Sequence, residues 1–225
     1  MPFYDEVLAA TRVERDALFA IPFIRDGAAG KLARADYVAF LGQAYHHVKH
    51  TLPLIMACGA KLPARLNWLR IAMAHYVEEE TGHEQWILDD IRESGGDAAA
   101  ARDAMPGFAA ELLVSYAYDT IERVNPVGFL GMVLVLEGTS TAVASRAAQA
   151  LMQSLHLPRK AFTYLTSHGA LDVDHTRFYA TLVDRLEDPA DRAVLLHCAK
   201  VFYRLYGDVF RELDAARSSS IGEAA

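Results

Sequence analysis

The chain has no run of lysine or arginine that could follow a nucleic-acid backbone or an anionic membrane. Its formal net charge is −7 over 225 residues, and both signs are spread along the sequence. A basic patch or stripe is the electrostatic feature that such surfaces require of a protein. We therefore expect no nucleic-acid partner and no membrane partner, and a small molecule as the substrate.

Cysteine is also scarce, because only Cys58 and Cys198 occur, each among apolar residues. This usage is typical of a reduced cytosolic protein with buried thiols, not of a secreted disulfide scaffold. The N-terminal residues lack the basic start and the apolar core of a signal peptide. The longest unbroken apolar stretch, Val127 to Leu136, is too short to cross a bilayer. We expect a soluble, cytoplasmic protein.

No segment alternates convincingly between polar and apolar residues with a period of two, so a β-sheet is not expected. Apolar residues instead recur at three- and four-residue spacing along nearly the whole chain, which is typical of amphipathic helices. The pattern predicts an all-α protein with one helical domain over residues 1–214 and a disordered tail over residues 215–225. The main predicted helices span about residues 3–19, 34–60, 63–94, 108–124, 126–155, 158–186 and from 189 onward.

Three polar residues share one face of a predicted late helix. His168, Asp172 and His175 are separated by offsets that keep them within about 60° of one another on the helix wheel, whereas Asp174 points to the other side. Two imidazoles and a carboxylate suit a divalent transition metal and leave coordination positions for oxygen or substrate. The set predicts a metal site, and a solvated polar face is the alternative.

An acidic run in the third predicted helix supplies a second candidate set. Glu80 stands three residues before His83, and Glu-x-x-His is the ligand unit of carboxylate-bridged di-iron helical bundles. Glu79 is at least as well aimed on the wheel and stays open as the alternative to Glu80, whereas Glu78 lies on the far side and should be solvated. A charged surface turn is the competing interpretation.

Glu137 is the most informative single residue, because it follows the unbroken apolar stretch. An ionised carboxylate inside a bundle costs several kcal/mol or more unless it is paired, protonated or bound to a metal. Arg123 or Arg146 could supply a structural ion pair. A metal would explain Glu137 together with the other two motifs.

The second predicted helix concentrates Tyr45, His46, His47 and His50 within one turn and a half. Spacings of three and four place either His47 with His50 or His46 with His50 on one side. We interpret Tyr45, His46 and His47 as candidate cavity groups. The histidines are candidates for extra ligands or for proton donors to bound oxygen, with ordinary packed histidines as the alternative.

Taken in order, the histidine cluster, Glu-x-x-His, Glu137 and the His-x3-Asp-x2-His set resemble the heme-oxygenase-like di-iron oxidases and oxygenases. The chain is similar to the branch known as iron-containing redox enzymes, which includes CADD-like proteins, and more distantly to TenA and PqqC. The resemblance covers about residues 3–213. It implies a heme-oxygenase-like bundle of about seven to eight helices.

The same resemblance implies two iron ions, or iron and manganese, with dioxygen as co-substrate. The implied reaction is oxidation or oxidative cleavage of a small metabolite. Carried over residue by residue, the implied metal ligands are Glu80 (with Glu79 as the alternative), His83, Glu137, His168, Asp172 and His175.

Two relatives fit these residues less well. The TenA enzymes have a Gln-Asp-Tyr stretch where this chain has Gln43-Ala44-Tyr45, and their catalytic cysteine has no equivalent here. Heme oxygenase needs a proximal histidine on the first helix, and residues 3–19 contain none. A metal-free TenA- or PqqC-like enzyme and a non-enzymatic protein that binds a ligand or partner remain the alternatives. The apolar content also favours a homodimer.

Overall fold

The computed structural model describes the backbone of residues 1–223 and the side chains of residues 1–167 and 175–219. Over these residues the chain forms helices and turns without a strand, which confirms the all-α fold class. The helices are α1 (Phe3–Ala10), α2 (Arg12–Phe19), α3 (Pro22–Ala28), α4 (Arg34–Val48), α5 (Thr51–Lys61), α6 (Asn67–Glu80), α7 (His83–Glu93), α8 (Ala98–Asp103), α9 (Phe108–Asp119), α10 (Phe129–Leu155), α11 (Thr163–Asp184) and α12 (Pro189–Glu223).

Three of the predicted long helices are each broken in two, so the bundle has more helices than the predicted seven to eight. Thr11 separates α1 from α2. Pro53 has no N–H to donate to the carbonyl four residues earlier, and the helix is interrupted there, at Lys49 and His50, between α4 and α5. Gly82 separates α6 from α7 with a φ of 91°, a backbone conformation that favours glycine.

Two segments outside the main predicted helices are helical in the structure. The sequence predicts a loop over Asp26 to Gly30, but α3 spans Pro22–Ala28 and includes the first three of these residues, because the fixed φ of Pro22 suits a first helical turn. At the other end of the chain, α12 continues past residue 214. Its Arg217 lies 2.9 Å from Asp26 and 2.7 Å from Asp214. The division of the chain at residue 214 stays a prediction.

Helix α10 is the central helix of the bundle, and it packs on α3, α11 and α12. It approaches α12 so closely that a Cβ at Gly131 would lie 2.5 Å from the backbone nitrogen of Ala199. Among the described residues, the stretch Pro126–Leu155 alone is long and apolar enough to cross a membrane, with a mean hydropathy of 1.6. The core helix of a soluble protein has the same composition, and the packing of α10 on three helices agrees with that role.

Asp90 on α7 determines where α11 begins. Its buried carboxylate accepts hydrogen bonds from the backbone N–H groups of Thr163 and Tyr164, at 2.9 and 2.8 Å. Burial raises the pKa of Asp90 to about 6, although these two bonds lower it. The contact holds the first turn of α11 against α7, the helix that begins with His83.

Candidate metal centre

Glu80, Glu137 and His175 converge from three helices on one point inside the bundle. Glu80 is the last residue of α6, Glu137 lies in α10 and His175 lies in α11. One ligand atom from each lies within 4.8 Å of the others, and the three side chains are 10%, 15% and 7% exposed, respectively. The Nδ1 atom of His175 is 3.8 Å from Oε1 of Glu80 and 3.8 Å from Oε1 of Glu137. Two carboxylates and an imidazole are a donor set for a divalent transition metal.

The break at Gly82 brings His83 to the same carboxylate from the other side. The Nδ1 atom of His83 lies 2.8 Å from Oε2 of Glu80, and the second oxygen of Glu80 faces His175. Glu80 therefore lies between two imidazoles, where a carboxylate that bridges two ions would lie. The single helix predicted over residues 63–94 is therefore wrong at Gly82. Because Glu79 and Glu80 lie on α6 and His83 lies on α7, a helix wheel cannot decide which of the two glutamates is aimed at His83.

The three consecutive glutamates of α6 have three different surroundings. Glu78 is exposed, as its predicted position on the wheel requires. Glu79 lies between two histidines, with Oε1 3.3 Å from Nε2 of His75 and Oε2 3.3 Å from Nε2 of His175. Glu80 alone of the three joins Glu137 and His175 in the converging group. His75 was not among the predicted site residues, and only the four-residue spacing could have indicated its contact with Glu79.

The other two members of the predicted α11 set lie outside the described side chains. The backbone of α11 is helical through His168 and Asp172. Their role as ligands, like the assignment of Glu80, His83, Glu137 and His175 as ligands, stays a prediction.

The arginines that the sequence offers as partners of Glu137 lie in other surroundings. Arg123 is 79% exposed and pairs with Asp119 at 2.9 Å, and Arg146 is exposed. Within the described part of the chain, His175 lies beside Glu137, with its Nδ1 atom 3.8 Å from Oε1. Two buried carboxylates this close together repel each other when both are ionised, and a bound cation removes that repulsion. The residues present therefore fit a metal ion.

A cavity of about 150 Å³ opens beside the two carboxylates, and its wall is mostly apolar. Glu80, Glu137 and Tyr76 line its polar end. The hydroxyl of Tyr76 is buried and has no hydrogen-bond partner among the described residues, and the same is true of Ser140 Oγ. Burial, with Glu137 nearby, raises the pKa of Tyr76 far above its ordinary value, so this phenol stays protonated. Both hydroxyls can donate a hydrogen bond to a molecule in the cavity.

The residues of the cavity wall cannot be distinguished from core residues in the sequence. From the sequence alone, Tyr76 could line a cavity or belong to the core, and the core is the stronger interpretation, because apolar and aromatic residues at helical spacing look the same in both places. The other lining residues come from seven helices and include Phe23, Phe40, Leu54, Met73, Phe129, Met132, Leu136, Tyr164 and Phe210.

His46, His50 and Tyr45 contact an ammonium or a phenol rather than a carboxylate. The Nδ1 atom of His46 lies 3.3 Å from Nζ of Lys49, and the Nδ1 atom of His50 lies 3.2 Å from the hydroxyl of Tyr118. Burial and the positive charge of Lys49 lower the pKa of both histidines. Tyr45 is buried beside them, and the Lys49 ammonium lies 5.3 Å from the centre of its ring.

His47 contacts a residue of the cavity wall. Its Nδ1 atom is 3.1 Å from the carbonyl oxygen of Gln43, and its ring meets the ring of Tyr206 edge to face at 5.8 Å. Tyr206 lines the cavity, whereas the described lining does not include Tyr45, His46 or His47. Catalytic roles for these three residues stay predictions.

Comparisons with known proteins place this geometry in context. Residues 38–207, more than half of the chain, match the model of a family described as iron-containing redox enzyme. No match was found among curated proteins.

Solved structures share the fold at low sequence identity. A domain of unknown function with a heme oxygenase-like fold from Shewanella denitrificans is 21% identical, with a TM-score of 0.84 over 96% of this chain and 93% of its own. A TenA homologue from Pseudomonas syringae pv. tomato is 10% identical, with a TM-score of 0.81 over 95% and 93%. Heme oxygenase-1 from Synechocystis, in complex with heme, is 14% identical, with a TM-score of 0.75 over 100% and 97%. These likenesses show a heme oxygenase-like fold.

Proposed function

The chain belongs to the iron-containing redox enzymes, and from that membership we propose that it is a non-heme di-iron, or iron–manganese, oxidase or oxygenase. It would use dioxygen to oxidise or oxidatively cleave a small molecule. The observation that carries the proposal is the convergence of Glu80, Glu137 and His175 at the polar end of an apolar cavity. Heme binding has less support, because α1 and α2 contain no histidine to ligate heme from the first helix.

The residues that would hold the ions differ in what they contribute. Glu80 faces His83 with one oxygen and His175 with the other, so it suits a bridge between two ions. Glu137 adds a second carboxylate, and His168 and Asp172 are proposed to complete the set from α11. A pair of such ions, when bound, would supply electrons for the reduction of dioxygen.

The cavity wall determines what can reach this point. Its apolar residues exclude water, which strengthens electrostatic interactions at the carboxylates. Tyr76 holds a proton that it can donate as a hydrogen bond to a polar group of the substrate. About 150 Å³ accommodates a small molecule, and the lining favours a substrate whose body is mainly apolar.

We further propose that the enzyme acts in the cytoplasm, as a homodimer, without nucleic acid or membrane as a partner.

Metal analysis of the purified protein tests the proposal. The wild type is loaded with Fe(II) without oxygen, freed of excess metal and analysed for bound iron and manganese. We expect about two metal ions per chain, because two carboxylates and the histidines around them provide donors for two sites. The Glu137→Ala and His168→Ala variants are expected to lose at least one ion each.

Oxygen consumption by the loaded protein, measured with candidate small molecules, then separates an oxidase from a metal-binding protein without this activity. A wild type that takes up no iron or manganese would contradict the proposal. It would favour a metal-free TenA- or PqqC-like enzyme, or a protein that binds a ligand or partner. If both variants keep the metal content of the wild type, the assigned ligands are wrong.

A further inference from the structure

We propose that Glu79 is a positioning residue that orients His175 toward the metal through its other ring nitrogen. The inference rests on the proposed metal centre and adds to it a residue outside the ligand set. On sequence grounds Glu79 was the alternative to Glu80 as a ligand. The structure assigns the two neighbours separate roles.

The ring of His175 lies between two carboxylate environments. Its Nδ1 atom faces the converging group, at 3.8 Å from both Glu80 and Glu137. Its Nε2 atom, on the opposite side of the ring, lies 3.3 Å from Oε2 of Glu79. A metal held by the two glutamates would therefore meet Nδ1, while Glu79 meets Nε2.

The second nitrogen of a metal-bound histidine needs a hydrogen-bond acceptor. When Nδ1 binds a metal, the proton of the neutral ring resides on Nε2, and a carboxylate that accepts this proton fixes the tautomer and the ring orientation. The Oε2 atom of Glu79 is buried and accepts no hydrogen bond from the described residues. A buried carboxylate oxygen is costly without a donor. Binding of a metal at Nδ1 of His175 would place the ring proton on Nε2, where it can be donated to Oε2 of Glu79.

Contacts on its other side keep Glu79 out of the converging group. Its Oε1 atom lies 3.3 Å from Nε2 of His75, a half-exposed residue one helical turn earlier. The ring of His75 in turn meets the ring of Phe178 at 5.6 Å, edge to face. Glu79 thus links a histidine at the surface to the buried His175, and it is not part of the group that Glu80, Glu137 and His175 form.

Alanine at each of the three consecutive glutamates provides a matched test. Co(II) affinity and stoichiometry are measured by competition with a chelator for the wild type and for Glu78→Ala, Glu79→Ala and Glu80→Ala. We expect Glu78→Ala to match the wild type, because this side chain is exposed. We expect Glu79→Ala to keep two equivalents while the affinity of one falls about 10- to 100-fold, the usual effect of removing the carboxylate partner of a ligand histidine. Glu80→Ala should lose at least one equivalent.

A second readout reports the ring itself. Nitrogen NMR of histidine-labelled, zinc-loaded protein should show the proton of His175 on Nε2 in the wild type. This tautomer should lose its fixed population in Glu79→Ala. Thermal unfolding of the metal-free variants controls for folding. If Glu79→Ala does not fold, Glu79→Gln replaces it, because the amide keeps the size of the side chain and removes its charge.

The outcomes separate the inference from the proposed function. A wild type that binds no Co(II), Zn(II) or Fe(II) overturns the proposed function and the inference with it. A wild type that binds two ions, with Glu79→Ala equal to Glu78→Ala in affinity and in ring tautomer, overturns the inference alone. Loss of a full equivalent in Glu79→Ala, as in Glu80→Ala, would make Glu79 a ligand and also overturn the positioning role.

Discussion

Two regions of the bundle are rich in histidine, and their partners differ in charge. Around α6, α10 and α11, His83 and His175 face the carboxylates of Glu79, Glu80 and Glu137. In the second region, on α4 and the turn that follows it, the contacts given to the histidines are with an ammonium, a phenol and a backbone carbonyl.

The contrast shows that histidine density alone does not indicate a metal site. A carboxylate beside an imidazole offers a second donor and balances the charge of a cation, whereas Lys49 repels a cation from His46. Burial and the positive charge of Lys49 lower the pKa of His46 and of His50. The metal site that we propose lies in the first region.

The largest effect on stability is expected from Asp90→Ala, because the buried carboxylate of Asp90 holds the start of α11 in the first region. Asp90→Ala removes the acceptor of the N–H groups of Thr163 and Tyr164 and frees the start of α11, which carries His175. Two buried donors without a partner should lower the free energy of unfolding by about 1–3 kcal/mol and the Tm by several degrees. Thermal unfolding measures this change, with Asp89→Ala as the control, since Asp89 is half-exposed. An equal Tm for both variants would show that Asp90 does not hold α11.

A smaller effect on the Tm is expected from Glu137→Gln, with opposite signs in metal-free and in iron-loaded protein. In metal-free protein, Glu137→Gln removes the repulsion between Glu137 and Glu80, so we expect the Tm to rise by about 2–4 °C. In iron-loaded protein the same variant should unfold at a lower temperature than the wild type, because a ligand is lost. A shift of the same sign with and without iron would contradict a metal between these residues.

The smallest effect is expected in the second region and depends on pH. The pKa of His50 is lowered from 6.5 by burial and by Lys49. Its contribution to stability is therefore present above pH 6.5 and is lost as the pH falls through the lower pKa of the folded state. His50→Gln should reduce the fall in Tm between about pH 7 and 5 by roughly 1–2 °C and leave the metal content unchanged. Loss of metal in this variant would extend the centre into the second region.

The fold class followed from the sequence more completely than the breaks between helices. Apolar residues at helical spacing predict the main helices because each of these helices buries one face, and the end of α10 at Leu155 agrees with the predicted limit. The break at Gly82 keeps the apolar spacing on both sides, so periodicity does not reveal it. The breaker signal of Thr81-Gly82 was present in the sequence, but a single glycine is also tolerated within helices.

The candidate site could be predicted from the sequence where a charged residue stands in an apolar stretch. Glu137 is noticeable as a charge in an apolar stretch, and the structure brings it to Glu80 and His175. The separate surroundings of Glu79 and Glu80 could not be predicted, because they depend on contacts with α11 and on where α6 ends. The cavity was equally hidden, since its wall has the composition of a core.

Anomalous diffraction at the iron edge from crystals of the Fe(II)-loaded protein tests the central claim most directly. We predict iron peaks within coordination distance, about 2.0–2.3 Å, of Glu80, Glu137 and His175, with the second peak on the side of Glu80 that faces His83. The absence of iron at these residues in loaded crystals, or iron bound instead by the histidines of the second region, would contradict the account.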